Sequence, residues 1–191
     1  MTDGEFLDDR RRASEDDYFR KKDRELIEKM RQAAEAERAT HELRTKTGIT
    51  DVQLVKTLQE LGFTPDTIAV LPFVPIVQMA WAEGGITPAE RELIVTLARD
   101  RGIAAGSPAD ALLADWMAHK PSDALFAHAT RLVRAMLDAG GTDASAWSAD
   151  DLIKYAESIA SASGGIFGLG KVSAEERDTL GKITAALKHQ G

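Results

Sequence analysis

The chain has 191 residues, no cysteine and a formal net charge of −7. Its length allows one core with an appendage, or two small domains. The lack of thiols excludes disulfides, thiolate metal sites and cysteine nucleophiles together, and the acidic balance argues against a non-specific grip on nucleic acid or anionic lipid. Charged residues, not the apolar core of a signal peptide, follow Met1. The longest apolar run, Val70 to Ala82, is interrupted by Pro72, Pro75 and Gln78 and is too short to span a bilayer. The expectation is a cytoplasmic protein with no membrane span.

Residues 1–46 differ from everything after them. From Arg10 to Arg31 the chain is dense in charge and lacks Gly and Pro. Opposite charges recur four residues apart (Asp16 with Arg20, Asp17 with Lys21, Glu25 with Lys29), which supports a solvated helix. The apolar stripe is thin: Phe19, Leu26, Met30 and Ala33, with Tyr18 and Ile27 beside it. A stripe that narrow suits one partner helix or groove, not a core. Glu15-Asp16-Asp17-Tyr18-Phe19-Arg20, followed by Arg24-Glu25-Leu26, resembles the inhibitory segment of the mitochondrial ATP synthase inhibitor protein. That resemblance implies a helix that inserts between subunits of an ATPase. The rival readings are a charged helix that docks on its own domain or pairs with a second copy. The candidate partner-binding residues are Tyr18, Phe19, Arg20, Leu26 and Met30.

Residues 47–191 carry a succession of helix starts. Gly48 and Thr50-Asp51-Val52-Gln53 end the charged helix and open the next. Thr64-Pro65 predicts a helix with Ile68, Leu71 and Val74 inward, which Pro72 and Pro75 kink or break. Thr87-Pro88-Ala89-Glu90 has the form of a capping box, with Thr87 as N-cap and Glu90 three residues on. Further starts lie at Ser107-Pro108, Pro121-Ser122-Asp123, Ser148-Ala149-Asp150 and Ser173. No run alternates β-branched and polar residues, so no sheet is expected. The fold class is all-α: about eight helices in a compact pseudo-symmetric bundle, preceded by a long charged amphipathic helix.

The pseudo-symmetry rests on one repeated stretch. Ile76 to Ala82 reads as the end of an apolar helix; Glu83-Gly84-Gly85 turns it, and Thr87 to Ile94 opens a new one. Ser161 to Gly165 and Val172 to Arg177 repeat the arrangement around an insert. At these residues the chain resembles the tellurite-resistance TerB family, over about residues 65–191. The resemblance implies a compact all-α domain linked to stress responses and sometimes to a divalent cation held by acidic residues. Glu83 stands where the family usually has Asp, and Ser163 stands at the equivalent place in the second copy. Glu83, Glu90 and Glu176 are therefore the candidate metal ligands, against the plainer reading that a first-turn Glu caps its helix and offsets the dipole.

Other constellations are weaker. Ile166-Phe167-Gly168-Leu169-Gly170-Lys171 fits neither the P-loop nor the dinucleotide fingerprint, and Phe167 and Leu169 are better read as core plugs. His41, His119, His128 and His189 form no zinc-type pair, and no serine sits in a nucleophile elbow. The expectation is a non-catalytic binding or regulatory protein, not an enzyme. It needs no cofactor and reaches a protein partner through residues 10–31. An ATPase inhibitor and a divalent-metal stress sensor are the alternatives.

Overall fold

The structure is a computed structural model that describes the backbone of residues 3–142, 146–162 and 173–188, and within those ranges the side chains from Tyr18 onward. In chain order it contains α1 (Asp3–Thr47), α2 (Val52–Glu60), a 3-10 helix (Ile68–Phe73), α3 (Val74–Ala80) and α4 (Pro88–Asp100). There follow α5 (Pro108–Ala118), α6 (Asp123–Ala139), α7 (Ala149–Ala162) and α8 (Ala174–Lys188). No strand occurs among the described residues, and the protein is an all-α bundle. Its internal contacts divide it into two units, residues 1–41 and 42–191. From Asp3 on, the first unit is the body of α1, an uninterrupted helix.

The second unit is built around α3. Six of its seven residues, Val74 to Val77 with Met79 and Ala80, are buried, and only Gln78 reaches toward the surface. A helix that is apolar all round has no solvent face and must be enclosed. Helices α4, α6, α7 and α8 and the 3-10 helix all pack against it. The enclosing helices bury single stripes at helical spacing, such as Phe126, Ala129, Leu132, Val133 and Met136 on α6 and Leu152, Ala156 and Ile159 on α7.

Helix starts follow local chemistry. Asp51, Thr87, Ser107, Ser122 and Ser148 each accept a backbone N–H from the first turn of their helix, as the sequence predicts. The segment after Thr64 departs from expectation. Thr64 and Thr67 form a closed turn through their hydroxyls, and the predicted helix begins only at Ile68, as 3-10. Pro72 lies inside that 3-10 helix and Pro75 falls in the first turn of α3, where no intrahelical donor is needed. The prolines divide one predicted helix into two short ones. Leu112, Leu125, Tyr155 and Leu180 are only half-buried against the core. Trp81 is also half-buried; its indole N–H donates to the Trp116 carbonyl at 2.9 Å, while Trp116 is the indole that is buried.

The last turns of α1 belong to the second unit, and there Leu43 and Thr47 are fully buried. Gly48 ends the helix at φ +74°, and a Cβ placed on it would lie 2.6 Å from the backbone nitrogen of Gly141. A Cβ on Gly141 would in turn overlap the Gly48 nitrogen and the Thr47 carbonyl carbon. Two backbones thus cross in direct contact just after α1 and α6, a closeness only glycine permits.

Two outcomes follow for stability. Gly141→Ala should destabilise the protein by more than Gly62→Ala. Gly62 also has positive φ (+85°) but faces open space, so its cost should stay near the ~1 kcal/mol of left-handed backbone strain. Leu43→Ala, although it lies in the charged helix, should cost about 2–5 kcal/mol, the range for a buried leucine. Urea denaturation followed by circular dichroism measures all three; a Gly141→Ala loss no larger than that of Gly62→Ala would refute the crossing.

Candidate functional site

The charged helix carries the largest concentration of exposed apolar side chains among the described residues. Tyr18, Phe19, Leu26, Ile27 and Met30 are each between 50% and 64% exposed. At about 100° per residue, Phe19, Leu26 and Met30 fall within roughly 40° of one another around the helix, with Ile27 and Tyr18 to either side. The Tyr18 and Phe19 rings meet edge to face at 5.9 Å, and the Lys22 ammonium lies 5.8 Å from the Tyr18 ring.

Polar contacts around this face are local to the helix. Lys22 pairs with Glu25 at 3.8 Å, Arg24 Nε donates to the Arg20 carbonyl, and Gln32 donates to Glu28. The predicted Glu25–Lys29 pair does not form, because Glu25 turns back to Lys22 three residues before it. Asp16 and Asp17 lie outside the described side chains. Of the candidate partner-binding residues, Phe19, Leu26 and Met30 share one face, Tyr18 borders it, and Arg20 is exposed.

The acidic turns form a second constellation, in the other unit. Glu90 closes a complete capping box: its Oε2 accepts from the Thr87 N–H at 2.7 Å and from the Thr87 hydroxyl at 2.8 Å. Glu176 repeats the device, accepting from the Ser173 N–H at 2.7 Å while Ser173 Oγ accepts from the Glu176 N–H at 3.1 Å. Both glutamates are only 2% exposed, which is rare for a carboxylate. Burial pushes the Glu90 carboxyl above its ordinary range. The Thr87 hydrogen bonds offset part of that rise, and the charges of Glu176 and Glu83 add to it. Of the three candidate metal ligands, Glu83 and Glu176 therefore each lie within electrostatic reach of Glu90, with Glu83 exposed. Among the described residues no three acidic or histidine side chains are arranged to hold a metal ion.

Two features of the second unit were not predicted. A groove with a cavity of about 240 Å³ lies between α4 and α7, lined by Leu93, Thr96, Leu97 and Asp100 on one side and Tyr155, Ser158 and Ile159 on the other, with Ile76 beneath. Leu93 at its lip is 43% exposed. The other feature is a clamp: the Arg101 guanidinium stacks 4.2 Å from the Trp147 ring centroid and donates to the Tyr155 hydroxyl and the Ala146 carbonyl. It ties the entry of α7 to the end of α4. Among the histidines, His119 meets Asp115 at 2.9 Å and His128 meets Arg131 at 2.8 Å, both exposed. The Ile166–Lys171 insert and His189 lie outside the described residues.

Glu90 yields a pH test. With its folded pKa raised, the protonated acid favours the fold. That contribution is fully present below the ordinary glutamate range and is lost as pH climbs through the raised value. Glu90→Gln keeps an acceptor for Thr87 but cannot ionise. Its stability should therefore gain on that of the native protein as pH rises from about 4 to about 8. Urea melts at steps across that range measure it, and parallel stability curves for the two proteins would refute the assignment.

Comparison with models of protein families, with curated proteins and with solved structures finds no match to this chain. The likeness to the TerB family stands on the residues of the two turns alone.

Proposed function

We propose that this chain is a non-catalytic binding or regulatory protein: a TerB-like helical domain whose N-terminal helix docks on a protein partner. One observation carries the reading. Tyr18, Phe19, Leu26, Ile27 and Met30 are all exposed on one uninterrupted helix, whereas outside that helix Val52 and Leu93 are the large apolar residues exposed to a similar degree among those described. Aromatic and aliphatic anchors along a charged helix are what helix-in-groove recognition uses. The surrounding charge keeps such a helix solvated until it is bound, and burial of the anchors then supplies the association energy at roughly 25 cal/mol per Å². The resemblance of Tyr18-Phe19-Arg20 and its acidic run to the ATP synthase inhibitor makes a large ATPase assembly one partner to test, and the TerB likeness favours a stress-related setting.

Phe19→Ala combined with Leu26→Ala should weaken partner capture by the full chain by at least about 2 kcal/mol, the scale of interface hot spots. The thermal melt of the rest of the protein should be nearly unchanged. Quantitative affinity capture and calorimetry measure the two. If the double variant captures its partners undiminished, the helix is not the docking element.

A further inference from the structure

The apolar stripe of α1 lies in a basic stretch of an acidic chain. From Tyr18 to Arg31 six basic residues stand against three acidic ones, within a net charge of −7 for the whole. The basic residues border the stripe. Measured around the helix from Phe19, Leu26 and Met30 at about 100° per residue, Lys22 and Lys29 fall about 60–80° to one side, and Arg20, Arg31 and Arg24 about 100–140° to the other. Of the three acids, Glu28 falls on the far face, and Glu25 lies beyond the lysines and is paired with Lys22 at 3.8 Å. Asp23 stands at the edge of the stripe, on the arginine side. Arg20, Lys29 and Arg31 are exposed and form no ion pair among the described residues.

Unpaired cations on both borders of an apolar stripe constrain what can cover it. A groove that buries Phe19, Leu26 and Met30 brings its rims beside these cations, and their desolvation costs free energy that rim carboxylates offset. A lipid surface suits the helix less. The stripe spans only about 40°, Asp23 would be pressed to the interface, and a chain of net charge −7 is repelled by anionic headgroups. This chain's own apolar groove does not supply such rims either: Lys154 on α7, and Arg101 on the Tyr155 hydroxyl, stand among Glu92 and Asp100 there.

We infer that the partner of α1 is a different protein, with an apolar groove bordered on both sides by carboxylates. Phe19, Leu26 and Met30 occupy its floor, Lys22 and Lys29 meet one acidic rim, and the three arginines meet the other. The inference rests on the reading of α1 as a docking helix and specifies the chemistry of its partner. Charges at such a rim speed encounter and fix orientation, and salt screens them.

The full chain, immobilised, is exposed to an extract of its native cells, and a protein whose capture is lost with Phe19→Ala plus Leu26→Ala is purified and titrated against the full chain. Binding should weaken as salt is raised. Lys29→Glu should weaken it at least about 10-fold. Lys21→Glu, the same reversal about 160° from the stripe, should change it less than about threefold. Thermal melts verify that both variants fold. Carbodiimide, which joins an amine to a carboxylate with no spacer, should link Lys22 or Lys29 to an Asp or Glu of the purified protein, as mass spectrometry of the peptides reads. Equal losses for the two reversals, affinity indifferent to salt, or links to a second copy of this chain alone would each overturn the inference. So would sedimentation of the full chain with phosphatidylserine–phosphatidylcholine vesicles that the Phe19→Ala, Leu26→Ala variant abolishes. If the double variant loses a captured protein that ignores both charge reversals, only the acidic rims fail. If it loses nothing, the docking reading fails with them.

Discussion

The enclosure of α3 is the constraint from which the second unit follows. A helix of seven residues has no stability of its own, since nucleation alone outweighs the few hydrogen bonds it can make. It exists because its apolar surface is removed from water on every side, and that requires helices around it. The 3-10 helix before it serves the same end. Pro72 and Pro75 forbid a long straight helix here, and the break turns Ile68 to Phe73 back into the core with Val70, Leu71, Pro72 and Phe73 all buried. A sequence that would be a liability in an exposed helix becomes the centre of a bundle.

Against that apolar centre, two buried carboxylates are an expense the fold has to justify. An ionised group without partners would cost several kcal/mol, so it must be hydrogen-bonded or neutralised. Glu90 and Glu176 do the first through their capping boxes, each satisfying an N–H that would otherwise be orphaned at a helix start. The raised pKa of Glu90 shows that the compensation is incomplete. Two first-turn glutamates near one another, each beside the positive end of its helix, also tie the starts of α4 and α8 to their capping residues, Thr87 and Ser173. The repeated box is thus a structural device first, and any ligand chemistry there would have to compete with Thr87 for the same Glu90 oxygen.

What could be read from the sequence was what depends on neighbours in the chain. Asp51, Thr87, Ser107, Ser122 and Ser148 announce helices because an N-cap and its acceptor lie within three residues. The exposed stripe of α1 was legible for the same reason: a helix so charged around Phe19 and Leu26 has nowhere to bury them locally. Contacts between distant residues left no such mark. Gly48 and Gly141 are 93 positions apart, and each alone reads as an ordinary helix stop. Arg101 and Trp147 lie in different turns, with nothing in either segment to indicate the clamp. The α4–α7 groove needs two stripes that fail to meet fully, and periodicity counts which residues face inward without measuring how closely they fit. Trp81 illustrates the limit: its apolar side was evident, but its position at the end of α3 leaves it half in solvent.

The two units therefore solve opposite problems with the same element. In residues 42–191 helices are held by one another, so their stripes can be irregular and their intrinsic propensities modest. In α1 the body of the helix must hold itself, and it does so with straight-chain charged residues and alanines, which lose little rotamer freedom in a helix. A helix already formed before binding has paid little ordering entropy at the moment of contact, unlike a disordered segment that folds on its target. The docking proposed for α1 would then be recognition by a preformed helix, in which a few anchors supply the energy and the charged flanks select orientation. The same flanks keep the apolar stripe solvated: the Lys22 ammonium lies over the Tyr18 ring and pairs with Glu25, so that even the exposed aromatic is bordered by charge.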